Sequence, residues 1–137
     1  MNIEYKKDIS GITEDMLEGF FVGWQNPPSP ATHLKLLNNS YCSFIAIDTD
    51  HNKVIGFINA ISDGVLSAYI PLLEVLPEYQ GSGIGNQLVK LILNEFNDLY
   101  MIDICHDEDL IPYYEKFGAH KVCGSVFRNY SVLSTDK

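Results

Sequence analysis

The apolar residues of the chain recur with two periods, and each period predicts one kind of element. An apolar residue at every third or fourth position from Ile84 to Phe96 predicts the longest helix. Alternating stretches rich in β-branched and aromatic residues predict strands, and the polar turn at 48–52 predicts an antiparallel hairpin. The predicted strands are a short one at 3–5 and longer ones over 41–47, 53–61, 65–76 and 100–105.

Two short helices are predicted before the hairpin. The first follows Thr13, whose hydroxyl would cap it, and the second follows a proline-rich turn at 26–30. Their apolar residues are Met16, Leu17, Phe20 and Phe21 in the first and Leu34, Leu36 and Leu37 in the second, next to His33.

A third short helix is predicted near the C-terminus. Asp107 or Asp109 would cap it, and Asp109 suits better because Pro112 then lies in the first turn, where proline removes no hydrogen bond. Gly118 would end this helix at the C′ position. The stretch over 120–133 predicts one bent strand or two.

The order of these elements predicts a mixed α/β fold. The helix at 84–96 lies between two strands, so a right-handed crossover would make those strands parallel, while the hairpins make the remainder antiparallel. The sheet would be covered by helices on both faces. With 137 residues and no visible repeat, we expect a single domain over 1–137.

Composition and charge exclude several classes of protein. The formal charge of -9 argues against a protein that binds the phosphate backbone of nucleic acid, and it favours a cationic or neutral partner. No apolar run approaches the roughly 18 residues of a membrane span, and no signal-like segment opens the chain, so a cytoplasmic protein is expected. The three cysteines have no CxxC spacing and are expected to be buried thiols. The four histidines share no metal-binding spacing and are expected at the surface or at strand ends. No metal site is therefore predicted.

A glycine-rich loop over 75–85 joins the third long strand to the long helix. Glycines allow close approach of a ligand, and free N–H groups at a helix N-terminus bind anions such as a pyrophosphate, although a structural turn explains the glycines equally well. The spacing G-x-G-x-G fails the dinucleotide fingerprint G-x-G-x-x-G, and no Gly-Lys-Ser/Thr follows as in a P-loop. Nicotinamide binding and ATP hydrolysis are therefore disfavoured.

The same loop resembles the Q/R-x-x-G-x-G/A acyl-CoA signature of the GNAT superfamily of N-acetyltransferases, with Gln80, Gly83 and Gly85 in the defining places. The lead-in hydrophobic-x-Val-x-Pro-Glu-Tyr over 73–79 and the stretch Tyr-Glu-Lys-Phe-Gly over 114–118 also resemble the family. The resemblance implies the GNAT fold, acetyl-CoA as co-substrate, and transfer of its acetyl group by direct attack of a primary amine of a small molecule or peptide.

The resemblance also implies which residues hold the cofactor. Val75 and its neighbours would pair with the amides of the pantetheine arm as an added strand does, and the loop N–H groups would bind the pyrophosphate. Asp107 stands where many members carry an Asn. The implied cofactor residues are Val75, Leu76, Gln80, Gly81, Ser82, Gly83, Ile84, Gly85, Asp107 and Tyr114.

Tyr114 matches the tyrosine that protonates the departing thiolate in many members. A phenol with a pKa near ~10 stays protonated at neutral pH, which suits an acid, and the alternative is a core aromatic beside Phe117. Tyr113 is the lesser candidate. For the base, Tyr69 and Pro71 occupy the family's usual positions and neither is a carboxylate.

Glu74 is the catalytic carboxylate suggested instead, either at the acceptor site or paired elsewhere. Simple alternation points Glu74 away from the face of Leu73 and Val75, and a bulge at Pro71 would change that parity. A water relay could replace the base. Asp63 and Asp103 are expected to be a turn residue and a sheet-edge charge.

The N-terminal half is expected to recognise the acceptor. Trp24 and Tyr69, with Tyr41, would form a pocket for an amine with an apolar or aromatic body, although a lone Trp is often a core residue. Cys105 is expected to be buried packing, and no acyl-enzyme is required. The alternative function is a CoA-binding sensor or partner module without turnover, and exposed strand edges near the C-terminus would allow a homodimer.

Overall fold

A computed structural model of the protein describes residues 1–132, and in them five strands form one mixed sheet in the order β1-β2-β3-β4-β5. All neighbours are antiparallel except β4 and β5, which are parallel, so the predicted hairpin and crossover are confirmed. The strands are β1 (Ile3–Lys7), β2 (Cys42–Asp48), β3 (Lys53–Ser62), β4 (Ser67–Val75) and β5 (Met101–Ile104).

Helices and short turns cover both faces of this sheet, as predicted. The helices are α1 (Pro30–Asn38), α2 (Ile84–Glu95) and α3 (Ile111–Glu115). A methyl group at Gly56 of β3 would lie 3.1 Å from Ile84 of α2, so glycine lets α2 pack closely on one face. The next residue, Phe57, points to the opposite face and packs edge-on against Phe20, with ring centroids 5.3 Å apart.

The predicted helix after Thr13 is wrong beyond its first turn. Only a 3₁₀ turn forms over Glu14–Leu17, and the Thr13 side chain makes no cap bond to the backbone. Gly19 and Phe21 adopt positive φ angles of 94° and 64°, which a right-handed helix cannot include. The apolar side chains are nevertheless buried although no long helix forms. Those in the core are Met16, Leu17, Phe20 and Phe21.

Around α3 the prediction is partly confirmed. Asp109 does not cap the helix, since a 3₁₀ turn over Glu108–Leu110 precedes α3 and Leu110 is the cap residue. Pro112 lies in the first turn as expected. Gly118 has φ of 93°, and the N–H groups of Gly118 and Ala119 bond to the carbonyls of Glu115 and Tyr114, so Gly118 closes the helix at C′.

The strand predicted over 120–133 does not form in the described residues 120–132, and Leu133 lies outside them. This segment has no regular secondary structure and no partner strand, and all of its residues are exposed. A strand needs a neighbour to bond its backbone, and here the chain passes no such neighbour within its own described residues.

Two expectations about single side chains are wrong. Cys42 is buried, but Cys105 and Cys123 are exposed. His33 is only 1% exposed and lies against Phe20, Phe21 and Phe57, whereas His51, His106 and His120 are exposed as expected. Burial lowers the pKa of His33 to about 4.

Within residues 1–132, no helix has the length and apolar character of a membrane span, and no three His, Cys, Asp or Glu side chains are grouped to hold a metal ion.

Candidate active site

A cleft opens where β4 and β5 separate. The two strands pair only from Ser67 to Ile70 of β4 and from Met101 to Ile104 of β5, and beyond these residues they diverge. The cleft between them has a volume of about 610 Å³. Its walls are formed by Val22, Trp24, Pro71, Leu72, Leu73, Glu74, Val75, Pro77, Gln80, Ile104, Cys105, His106, Asp107, Leu110 and Tyr114.

A bulge in β4 accompanies this separation. Asn59 and Ile61 of β3 pair with Leu72 and Tyr69, so β4 carries one extra residue next to Pro71. Proline has no N–H to donate to a ladder, which fits a bulged position at the point where pairing with β5 stops. The bulge that Pro71 suggested in the sequence is thus confirmed.

Beyond the bulge, main-chain groups of β4 face the cleft. The N–H of Leu76 donates to the carbonyl of Ile55 at 2.8 Å, which makes Val75 and Gly56 a pair without mutual hydrogen bonds. In such a pair the backbone groups of Val75 point away from β3, and alternation gives Leu73 the same orientation. The cleft side of β4 therefore offers N–H and C=O groups to an extended ligand, although the carbonyl of Val75 already accepts from Gln80 Nε2 at 3.0 Å.

The glycine-rich loop connects β4 to α2, and its residues Pro77 and Gln80 line the cleft. Gly81 and Gly83 have φ angles of 83° and 86°, and a methyl group at either position would meet no atom within 4 Å, so the space beside them is open. In the described part of the chain, the backbone N–H groups from Gly81 to Gly85 donate no hydrogen bond. The Ser82 hydroxyl donates to the carbonyl of Tyr79 at 2.7 Å and holds the loop in this shape. An open cradle of free donors at the N-terminus of a 12-residue helix suits an anion.

The side chain of Glu74 lines the cleft from β4. Its Oε1 accepts hydrogen bonds from the backbone N–H of Phe21 at 2.8 Å and of Val22 at 3.3 Å. Burial raises the pKa of the Glu74 carboxyl, and the two backbone bonds oppose that rise. A half-buried carboxylate that faces a cleft and has a raised pKa has the properties of a proton acceptor.

Tyr114 lies across the cleft from β4, on α3. Its ring is buried, stacks on His106 with centroids 4.6 Å apart, and meets Tyr113 edge-on at 4.9 Å. Burial and the neighbouring Tyr113 raise the pKa of Tyr114 to about 12, so the phenol keeps its proton at neutral pH. The Tyr113 hydroxyl points elsewhere, since it would lie 3.4 Å from a methyl group placed on Gly85.

The predicted acceptor residues separate in the structure. Trp24 is partly exposed, lines the cleft and packs edge-on against Phe21 with centroids 5.0 Å apart. Tyr69 is outside the cleft walls, and a hydrogen bond with Cys105, with burial, raises the pKa of its phenol. Tyr41 lies beside Gly64 and Phe96, away from the cleft.

Several residues that line the cleft were not predicted from the sequence. Cys105 lines the cleft instead of packing in the core, and Val22 and His106 join it from two loops. Asp107, which the resemblance placed at the cofactor, is part of the wall. His106 precedes the predicted site residue Asp107, so the sequence contained a signal for it. Val22 is distant in the sequence from the other cleft residues, and its N–H donates to Glu74 in the folded chain.

A family model described as the acetyltransferase (GNAT) family matches residues 9–119. The matched segment includes the cleft walls, the glycine-rich loop and Tyr114. It ends where the C-terminal segment without regular secondary structure begins.

Individual relatives agree with this match. A crystal structure of a candidate acetyltransferase from Deinococcus radiodurans R1 is 38% identical, covers 98% of this chain and 94% of its own, and has a TM-score of 0.93. The uncharacterized N-acetyltransferase ycf52 of Pyropia yezoensis is 27% identical over 100 residues, or 71% of this chain, and the chain spans 58% of that protein. An aminoglycoside N-acetyltransferase solved with CoA shares the fold at 14% identity, with a TM-score of 0.65 over 93% of this chain and 94% of its own.

Proposed function

The chain belongs to the acetyltransferase (GNAT) family, and from this membership we propose that it transfers the acetyl group of acetyl-CoA to a primary amine. One observation carries the proposal. The cleft is lined by β4, whose main chain offers free N–H and C=O groups, and by two side chains suited to move protons, Glu74 and Tyr114, and the loop of free N–H donors follows β4 directly.

Acetyl-CoA would lie along β4 and over the start of α2. The main-chain groups of Leu73 and Val75 would bond the pantetheine amides, and the N–H groups from Gly81 to Gly85 would bond the pyrophosphate. The open space beside Gly81 and Gly83 supports this placement, because a side chain there would fill the cradle. The CoA bound by the aminoglycoside acetyltransferase of the same fold is consistent with it.

Glu74 and Tyr114 would handle the two protons of the reaction. The neutral amine nitrogen attacks the thioester carbonyl, so that a C–N bond forms and the C–S bond breaks. Glu74, directly or through a water, would accept the proton that the amine loses, and the Tyr114 phenol would protonate the departing thiolate. Both residues line one cleft, Glu74 from β4 and Tyr114 from α3, and this supports the division of roles.

The acceptor would enter beside Trp24. An exposed indole in a cleft with an acidic wall favours an amine with a cationic head and an apolar body. Tyr69 would contribute only at the rim, since it lies outside the cleft walls. The net charge of -9 would attract a cation to the protein.

The proposal is tested by thiol release from acetyl-CoA in the presence of a panel of primary amines. We expect release with at least one amine, and Tyr114→Phe should lower kcat by about 100-fold because the thiolate loses its acid. Tyr113→Phe is the matched control, since it removes a neighbouring hydroxyl that points to Gly85, and it should retain most of the activity. Binding of CoA without thiol release for every amine would favour the alternative, a CoA-binding sensor or partner module.

A further inference from the structure

The imidazole of His33, on α1, is buried without a hydrogen-bond partner. The residue is 1% exposed, and among residues 1–132 neither its Nδ1 nor its Nε2 has a partner. Burial lowers the pKa of His33 to about 4, so at neutral pH the ring carries one N–H donor and one lone pair. Buried polar atoms in proteins are almost always hydrogen-bonded, so these two nitrogens call for an explanation.

A small cavity lies beside this imidazole. Its walls are formed by residues 17–21, by the proline-rich turn at 27–30 and by His33. Its volume is about 240 Å³. Pockets for drug-sized ligands begin at ~300 Å³, so this cavity suits a smaller molecule. It shares no wall residue with the cleft between β4 and β5.

The cavity walls are apolar and stiff. Phe20 and Phe21 meet the ring of His33 edge-on, with centroids 5.3 and 4.9 Å apart. The three prolines of the turn contribute rigid rings and no N–H donors. Walls of this kind bind an apolar body, and a flat ring above all.

The polar groups of the cavity favour an uncharged ligand. A charged group beside the neutral imidazole would lose its hydration among the surrounding aromatic rings. Glu18 is exposed, lines the cavity and would repel an anion. The Ser29 hydroxyl already accepts a hydrogen bond from the N–H of Thr32 at 3.2 Å. The imidazole of His33 is therefore the group to which a hydroxyl or N–H of the ligand would bond.

We propose that this cavity binds a small uncharged molecule with an apolar body and a hydroxyl or N–H group, and that this group hydrogen-bonds to His33. The site is separate from the cleft, but Phe21 lies next to both. Phe21 lines the cavity, and its N–H donates to Glu74 of the cleft at 2.8 Å. A ligand in the cavity would thus contact the segment to which Glu74 is bonded. Binding at this site does not depend on acetyl transfer.

Phenol, benzene and benzoate test the chemistry of the ligand, because they share one ring and differ in the attached group. The full chain is titrated with each probe, and the ring nitrogens of its histidines are followed by NMR. Phenol should bind saturably and shift the ring signal of His33. We expect phenol to bind roughly three- to tenfold more tightly than benzene, which cannot hydrogen-bond to the imidazole, and at least about tenfold more tightly than benzoate.

Two outcomes of this titration would overturn the proposal. One is benzene binding as tightly as phenol. The other is a His33 ring that is hydrogen-bonded before phenol is added and unchanged afterwards, which would indicate a water-filled cavity only.

Backbone amide signals locate the bound probe. Saturation with phenol should shift the amide signals of Phe20, Phe21 and His33, and it should leave the signal of Asp107, in the cleft, unchanged. Shifts confined to the residues of the cleft would place phenol there and would contradict the proposal.

Two substitutions at His33 separate hydrogen bonding from shape. His33→Leu removes both ring nitrogens, so phenol and benzene should bind with the same Kd. His33→Gln keeps a donor and an acceptor and should retain the preference for phenol. The matched control is His120→Leu, at an exposed position outside the cavity walls, which should bind phenol as the wild type does.

An undiminished preference for phenol in His33→Leu would show that the imidazole does not bind the ligand. Urea unfolding checks that each variant is folded. If His33→Leu does not fold, the comparison of phenol with benzene in the wild type still decides the proposal.

Discussion

The phenol of Tyr79 donates a 2.7 Å hydrogen bond to Oδ2 of Asp48, a buried carboxylate at the end of β2. The Nδ1 of His51 lies 2.8 Å from the same oxygen, and the N–H of Asp50 donates to the other at 3.0 Å. The bond from Tyr79 is the largest cause of a lowered pKa at Asp48, so the carboxylate is charged at neutral pH. The β2–β3 turn thereby anchors Tyr79, which lies within the glycine-rich loop just before Gln80 and Gly81.

Loss of this anchor should weaken cofactor binding. Tyr79→Phe removes the hydroxyl and leaves the ring, so the loop loses its fixed connection to Asp48 while the core is unchanged. We expect the Kd for CoA, measured by calorimetry, to rise by roughly three- to tenfold, with little change in kcat. Tyr100→Phe removes an exposed hydroxyl and should bind CoA as the wild type does. Equal Kd values for both variants would show that the bond does not position the loop.

A methyl group at Gly83 should weaken CoA binding at the proposed pyrophosphate site without unfolding the protein. Gly83→Ala meets no atom within 4 Å but places a Cβ in the open space of the loop, and its positive φ costs about 1–2 kcal/mol of stability. Gly11→Ala, at a φ of 80° far from the cleft, carries a similar strain and is the matched control. We expect both variants to lose similar stability in urea unfolding, and only Gly83→Ala to lose CoA binding, by at least about tenfold. Loss of CoA binding in both would point to strain instead.

If Glu74 is the base, as proposed, kcat/KM should depend on pH in a characteristic way. Because burial raises its pKa, kcat/KM should rise with pH along a limb that lies above the pKa of an ordinary carboxyl group, as Glu74 loses its proton. Glu74→Gln keeps an oxygen for the N–H groups of Phe21 and Val22, so it should fold normally, lose this limb and lose about 100-fold in kcat/KM.

A distant carboxyl provides the comparison for Glu74. Glu95→Gln breaks the 2.8 Å ion pair with Lys7, far from the cleft, and makes the same change in charge. Its pH profile should match that of the wild type. If Glu74→Gln retains the acidic limb and full activity, a water relay without Glu74 must deprotonate the amine.

His33 should make the fold sensitive to acid. Burial holds its pKa near 4 in the folded chain, against roughly 6.5 in the unfolded chain, so between these values only the unfolded state binds the proton. Stability is therefore lost as the pH falls through this window. His33→Leu should gain about 2–3 kcal/mol over the wild type in the free energy of unfolding when pH 4.5 is compared with pH 7. Parallel stability curves for the two proteins, measured in urea, would contradict this assignment.

Local patterns in the sequence were sufficient for the elements whose contacts are local. The period of α2, the hairpin of β2 and β3, and the C′ position of Gly118 each depend on residues a few positions apart. The glycine spacing of the loop and the tyrosine of α3 also lie in the sequence itself. The parallel pairing of β5 followed from the handedness of a single crossover.

The conformation and burial of segments whose partners are distant in the chain could be determined only from the tertiary structure. Residues 18–24 have apolar residues at helical spacing, yet the Glu74 carboxylate, more than fifty positions away, binds the N–H groups of Phe21 and Val22 in a non-helical path. His33 of α1 is buried against Phe57 of β3, and residues 120–132 form no strand although their composition favours one. Sequence patterns determine which residues seek burial or a backbone partner, because these are local properties. The identity of the partner depends on the three-dimensional path of the whole chain.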